Sequence, residues 1–404
     1  MGETLFIAHR IPFPPDRGDK IRSHHLLNAL ARLAPVHVAT FGETEADFAA
    51  EPLLAEVAAS HCLVRRPGLP LAGLLALARG RAASLQAFDS PALRGWIART
   101  LADRPIDTVF VFSGQMGQYI PAGFRGRVIV DMCDVDSAKF AAYASERSGP
   151  RSWIDAREAR LLSREEARLA ARADATLLVS EAEAALLRTR VRQGNVLALG
   201  NGIDAAFFDP RLVAPHPGLT TEAGPHLVFT GQMDYPPNVA AARRTALALM
   251  PAIRTRHPAA NFHVVGRAPS AEVRTLEGVN GTRVWGEVPD VRPFVAGADL
   301  VVAPLAIARG IQNKVLEAMA MARPVIMTPG AATGIGGQDG VQYAVAASDA
   351  ALVEGALSLL ADAPRAVAMG AAARRFVLAE KSWEASLAPL AALVGKGEGR
   401  RNAA

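Results

Sequence analysis

Residues Val301–Pro329 read VVAPLAIARGIQNKVLEAMAMARPVIMTP. An apolar run ends at Pro304, a loop carries Arg309-Gly310, a helix begins near Asn313, and Arg323-Pro324 opens a second apolar run. Short apolar strands without polar alternation, joined through a helix, indicate a parallel sheet covered on both faces. In such sheets ligands collect at the carboxyl ends of the strands. Helix N-termini point there, and their N–H groups and dipole attract phosphate. Lys314 falls in the first helical turn, where a cation is unfavourable unless it meets an anion. Glu317 lies one turn later on the same face, where a carboxylate can accept hydrogen bonds from the vicinal hydroxyls of a ribose. The same spacing also fits an ordinary amphipathic helix with both groups solvated or paired.

Working outward, the pattern repeats along the chain. Strands are expected at Leu5–His9, Val36–Phe41, Thr108–Phe112, Val128–Asp131 and Ala175–Val179, then at His226–Thr230, Asn261–Val265, Leu300–Ala303 and Pro324–Met327. Helices are expected at Lys20–Leu33, Ser152–Ala173, Glu181–Arg190, Val315–Ala322 and Ala350–Leu360. The alternation predicts α/β units with parallel sheets. The proline- and glycine-bearing segment 205–224 reads as a linker. The expected division is an N-terminal Rossmann-like domain over 1–204, a C-terminal one over 225–380, a closing helix over 381–394 that packs back toward the first domain, and a polar tail over 395–404. A chain of 404 residues, half of them hydrophobic, suits two such domains.

Composition narrows the chemistry. A formal charge of +5 without a dense Lys/Arg block argues against nucleic acid and leaves anionic small molecules or anionic lipid surfaces. Two cysteines, Cys62 and Cys133, supply neither a disulfide framework nor a metal cluster and suit a reduced compartment. No secretory signal is read at the start, so a cytoplasmic location is expected. No apolar stretch has the length of a membrane span. Leu69–Ala78, with arginines at both ends, reads either as a core helix or as a segment that docks peripherally on the inner membrane.

Two loops near the start of the chain carry further candidates. In His9–His24, HRIPFPPDRGDKIRSH, Gly18 permits close approach, and Arg17, Lys20 and Arg22 crowd a helix start, which favours an anionic ligand. In Asp131–Lys139, DMCDVDSAK, three carboxylates within six residues need a cation, a metal or a polar ligand. Asp134 or Asp136 is assigned to a sugar of the donor or acceptor; capping of the next helix by Asp136 or Ser137 is the competing structural role.

Several of these stretches resemble family 4 glycosyltransferases of the GT-B fold. The donor-site signature is Leu316-Glu317-Ala318-Met319-Ala320 followed by Arg323-Pro324-Val325-Ile326. Val228–Asn238, VFTGQMDYPPN, resembles the first strand-loop-helix of the donor domain, with Gly231 beside the diphosphate. Leu199–Pro210 resembles the crossover segment, and Gly286–Pro304 the rest for the base, with Val288 facing it. The loops at 9–24, 131–139 and 179–184 resemble the sugar transferases of PEP-CTERM/exosortase exopolysaccharide systems. The resemblance implies two Rossmann-like domains facing across a cleft. It implies transfer of a sugar from a nucleoside-diphosphate donor to a saccharide or lipid-linked saccharide, with retention and without metal or cofactor. Gly18, Lys20, Gly231, Val288, Gly310, Gln312, Asn313, Lys314 and Glu317 would bind the donor. Arg309 stands where the family usually has a glutamate, and is assigned with Asp134 and Asp136 to catalysis. A nucleotide-sugar epimerase and a non-catalytic nucleotide-sugar-binding subunit are the alternatives. A dinucleotide dehydrogenase is disfavoured, because IPFPPDRGDK replaces G-x-G-x-x-G after the first strand.

Overall fold

The computed structural model describes residues 2–67, 76–146, 148–306 and 311–396. They form two α/β units. One runs to Asn201 and resumes at Ser386; the other is the continuous stretch Gly202–Ala385.

The first unit is built on seven parallel strands: Glu3–Ala8 (β1), Val36–Gly42 (β2), Ser60–Arg65 (β3), Ile106–Phe112 (β4), Arg127–Cys133 (β5), Ala175–Leu178 (β6) and Val196–Ala198 (β7). Their order is β3-β2-β1-β4-β5-β6-β7. Every residue of β1 and β2 is buried, which explains why both are mostly apolar without strict alternation. Phe6 of β1 and Phe110 of β4 stack at 5.7 Å.

The second unit holds six parallel strands: His226–Thr230 (β8), Asn261–Val265 (β9), Thr282–Gly286 (β10), Leu300–Ala303 (β11), Val325–Met327 (β12) and Ala344–Val345 (β13). Their order is β10-β9-β8-β11-β12-β13. Its core includes Phe229, Phe262, Leu300 and Met319. One polar chain runs through it: the Trp285 indole N–H donates to His263 Nδ1 at 3.1 Å, and His263 Nε2 meets His226 Nδ1 at 2.9 Å. Burial, with the neighbouring His226 and Arg283, pushes His263 down to about 3, so the ring is neutral and its tautomer is set by the indole. In both units the strand order reverses beside the unit's first strand, between β1 and β4 and between β8 and β11. Crevices for ligands open at such reversals.

Two expectations about organisation change. The segment 205–224 is not a free linker, because the chain divides after Asn201. Leu219 lies in the second core, His216 stacks on Phe294 at 4.3 Å, and Asp209 pairs with Arg374 at 3.2 Å. The prolines and glycines there shape turns that bury apolar residues. Ser382–Val394 is two short helices, Trp383–Leu387 and Leu390–Leu393, broken at Pro389, which has no N–H to donate. After Ser386 the chain belongs to the first unit. There Arg127 donates to the Leu393 carbonyl at 3.1 Å, and Lys396 Nζ donates to the Gly2 carbonyl at 2.9 Å and Thr4 Oγ1 at 3.3 Å. Most of Leu69–Ala78 lies outside the described residues, as do Arg309, Gly310 and 397–404. No described helix is long and apolar enough to cross a membrane.

Candidate functional site

At the reversal between β8 and β11 the second unit opens a cavity of about 620 Å³. The loop after β8 contributes Gly231 and Gln232, and the helix Pro236–Arg244 contributes Asn238. The loop after β9 gives Gly266 and Arg267, and the segment after β10 gives Val288 and Val291. The opposite wall is the start of the helix Asn313–Ala320, with Gln312, Asn313, Lys314 and Glu317.

Two glycines make the floor thin. Gly231 has φ +154°, and a Cβ there would sit 2.9 Å from both Lys314 Nζ and Asn238 Nδ2. A Cβ on Gly266 would lie 1.7 Å from the Gly231 carbonyl oxygen. The backbones after β8 and β9 are therefore in direct contact, a packing that only glycine permits.

Lys314 is held in place. Its Nζ donates to Asn238 Oδ1 at 2.6 Å and lies 4.4 Å from the centre of the Phe229 ring. Asn238 is fixed in turn by donating from Nδ2 to the Gln232 carbonyl at 2.9 Å. Asn238 is neutral, so the ammonium has a hydrogen bond there without charge compensation. Burial brings Lys314 down to about 8, against the pull of Glu317. Burial pushes Glu317 up to about 7, opposed only by Lys314. Both groups thus titrate near neutrality in a cleft, an arrangement typical of ligand sites.

Of the nine positions read from the sequence as donor-binding, all but Gly310 lie among the described residues. Gly231, Val288, Gln312, Asn313, Lys314 and Glu317 line this cavity, whereas Gly18 and Lys20 belong to the first unit. Asn238, Gly266 and Arg267 line it as well and were missed. The sequence signal for Gly266 was the run Phe262–Gly266, an apolar strand closed by glycine, of the same form as Val228–Gly231. Asn238 had no comparable signal, because an asparagine early in a helix usually serves as a cap or is solvated.

In the first unit the expected anion site at Arg17, Lys20 and Arg22 is corrected by the carboxylates around it. Lys20 is buried and donates to Asp47 Oδ1 at 2.7 Å and to the Phe13 carbonyl at 3.2 Å. Arg22 lies 2.7 Å from Asp131 Oδ2, with both side chains out of solvent. Arg17 approaches Asp19 at 3.5 Å. Lys20 and Arg22 at this helix start thus each have a buried carboxylate partner, while Arg17 shares Asp19 with Arg10, which holds it at 2.6 Å. Gly18 opens the helix Gly18–Ala31, and a Cβ there would meet nothing within 4 Å, so packing within the protein does not require glycine.

The three aspartates at and after the end of β5 divide their roles. Asp131 is the buried partner of Arg22. Asp136 accepts from Gln115 Nε2 at 2.8 Å. Asp134 is solvent-exposed, and partial burial of its carboxyl with Glu183 and Asp136 nearby raises it. Among the described residues no group of three or more His, Cys, Asp or Glu side chains is placed to hold a metal ion.

Residues 224–362 match the family described as glycosyl transferases group 1. The match spans β8 through β13 and contains every described residue of the cavity wall. A search of curated proteins found no match. Among solved structures, HepE of Anabaena in complex with UDP aligns with a TM-score of 0.62 at 15% identity, over 96% of this chain and 98% of that one. Sucrose-phosphate synthase from Thermosynechococcus elongatus aligns at 0.59 and 18% identity, over 97% and 98%. A glycosyltransferase from Rickettsia africae aligns at 0.62 and 13% identity, over 97% and 98%. The shared architecture is the GT-B fold, with two Rossmann-like units built on parallel sheets.

Proposed function

We propose that this protein transfers a sugar from a nucleoside-diphosphate donor to a hydroxyl of a lipid-linked or growing exopolysaccharide, with retention at the anomeric carbon and without a metal ion. The observation that carries the reading is the cavity at the β8/β11 reversal. A thin glycine floor, a partly desolvated ammonium and a half-buried carboxylate there face one space. The group 1 match over the same residues supports it. The Anabaena neighbour, which is bound to UDP, suggests UDP as the first nucleotide to try.

In this reading Lys314 meets the diphosphate and Glu317 the ribose hydroxyls. Val288 lies against the base. As the bond from the anomeric carbon to the phosphate oxygen breaks, negative charge grows on the leaving diphosphate, and Lys314 stabilises it. The acceptor oxygen bonds to the anomeric carbon from the same face, and its proton passes to the departing phosphate oxygen. Arg309, eight residues before Glu317, is assigned to the diphosphate or to an acidic group of the donor sugar. Asp134 and Asp136 are assigned to sugar hydroxyls.

A thermal-shift panel of nucleoside diphosphates, followed by transfer from the stabilising donor to saccharide acceptors, tests the assignment. Failure of every nucleotide to stabilise the protein would sink it. Isomerisation of the donor without an acceptor would identify an epimerase instead.

Glu317→Ala is expected to weaken nucleoside binding by roughly 1.5–3 kcal/mol, the range for hydrogen bonds to a charged group. Calorimetric titration of the folded variant reads this directly, and unchanged affinity would remove Glu317 from the ribose.

The two shifted groups also predict a pH profile. Ribose hydroxyls favour the ionised Glu317, so binding releases a proton and weakens as pH falls below about 7. The diphosphate favours the charged Lys314, so binding takes up a proton and weakens as pH rises above about 8. Affinity for the nucleoside diphosphate should peak between these limits, while the matching nucleoside should show only the acidic limb. Titrations across this range check both limbs; a nucleoside that also lost affinity on the alkaline side would contradict the assignment of Lys314.

A further inference from the structure

The 23-residue helix Pro150–Arg172 of the first unit sorts its charges by face. Asp155, Glu158 and Glu166 are buried, and Glu165 pairs back onto Arg168. The outward positions Trp153, Arg157, Arg160, Arg164 and Arg168 recur at intervals of four and three residues. They fall within one arc of about 80° at 3.6 residues per turn, and no acidic residue shares that arc. Arg160 and Arg164 are solvent-exposed, and no described carboxylate pairs with either. Buried acids and outward arginines are the reverse of a helix that neutralises its own surface with spaced pairs.

The positive surface continues beyond the helix. Arg79, Arg81 and Arg94 converge on a single carboxylate, Asp89, at 3.5, 3.4 and 2.8 Å, which leaves positive charge in excess. Arg81 then joins Arg164 and Arg168 around a hollow of about 440 Å³, where the one described carboxylate, Glu165, is taken up by Arg168. Beside the arginines stand large apolar side chains in water. Trp153 is 62% exposed, Ile154 54% and Leu77 56%. Leu77 is placed here by its neighbour Ala76, whose carbonyl accepts from Arg157 at 3.4 Å.

We propose that this face docks on an anionic phospholipid surface. The arginines meet the headgroup phosphates, the hollow around Arg81 and Arg164 receives one of them, and Trp153 with Ile154 enters the interfacial layer. A soluble polyanion would satisfy the arginines alone. The exposed tryptophan and isoleucine on the same helix end are what favour lipid, since an indole gains most at the boundary of water and hydrocarbon. The inference uses only first-unit residues, and its test needs neither donor nor acceptor, so it stands or falls apart from glycosyl transfer.

The test is co-sedimentation of the full chain with vesicles of phosphatidylcholine alone or with about one third phosphatidylglycerol, at low and physiological salt. Partition into the anionic vesicles only is expected. Each arginine at such a surface contributes roughly fivefold, so Arg160→Gln with Arg164→Gln should lower the partition coefficient roughly 30-fold. Trp153→Ala should weaken binding even where salt screens the charges. Unchanged circular dichroism and melting temperature show that the variants are folded; their sites are exposed. The proposal is overturned if the wild-type chain ignores anionic vesicles, or if the double variant binds as well as wild type. It is equally overturned if Trp153→Ala has no effect while soluble dextran sulfate competes fully, because the face is then a polyanion site and not a membrane one.

Discussion

Lys314→Ala is expected to cost roughly 2–5 kcal/mol of nucleoside-diphosphate affinity, the range for truncating one partner of a desolvated charge pair, with little change for the nucleoside. The prediction rests on where the ammonium sits. Asn238 positions it at 2.6 Å without neutralising it, the Phe229 ring closes one side, and burial lowers its pKa to about 8. A charge kept in so costly a place is stabilised by an anion that arrives later. Turnover should fall further than donor affinity, because the diphosphate gains negative charge as the sugar departs. Lys314→Arg should rescue little, because the space beside Gly231 and Asn238 is shaped for a compact ammonium. Equal losses for nucleoside and nucleoside diphosphate would show that Lys314 only supports the fold of the cavity.

The second large effect belongs to the first unit. Asp131→Ala should destabilise that unit by about 3–5 kcal/mol, the cost of stranding a buried charge. Arg22 reaches Asp131 Oδ2 through Nε at 3.0 Å and its terminal nitrogen at 2.7 Å, and neither side chain meets solvent. Arg22 also donates to Asn201 Oδ1 at 2.8 Å, so the residue before the division of the chain is tied to the same pair. Arg22→Met in the Asp131→Ala background should recover much of the loss, because no charge is then stranded. Hydrogen exchange on β1, β4 and β5 reads the effect unit by unit, which a single melting temperature cannot do in a two-unit chain. A single variant with wild-type protection would remove the pair from the account of stability.

The sequence exposed the middle of each sheet and hid its margins. The strands it missed were β3, β7, β10 and β13, and these are the four edge strands. β1 and β4 carry mostly apolar residues because neighbours and helices cover them. β3 has only one partner strand and no fully buried residue, so SHCLVR shows neither a continuous apolar run nor alternation. The cavity followed the same logic. Residues contributed by a strand end or a helix start in one contiguous motif, such as Gly231 and Lys314, were legible. The contact that orients Lys314 comes from Asn238, 76 positions away, and no local pattern encodes it. The N-terminal cations Lys20 and Arg22 misled because their partners, Asp47 and Asp131, are 27 and 109 positions distant. A cluster of like charges in sequence can be a set of separate ion pairs in space.

The interrupted first unit bears on how the molecule is made. Gly202–Ala385 is an unbroken segment that can begin to fold while still attached to the ribosome. The first unit cannot finish in that order: its opening strand lies against a lysine synthesised almost 400 residues later, as the contacts of Lys396 with Gly2 and Thr4 show. Translation of the intervening segment therefore imposes a wait, during which the underside of β1 near Thr4 stays without its final cover. Chaperone dependence should accordingly fall on the amino-terminal half of the nascent chain, although that half emerges first.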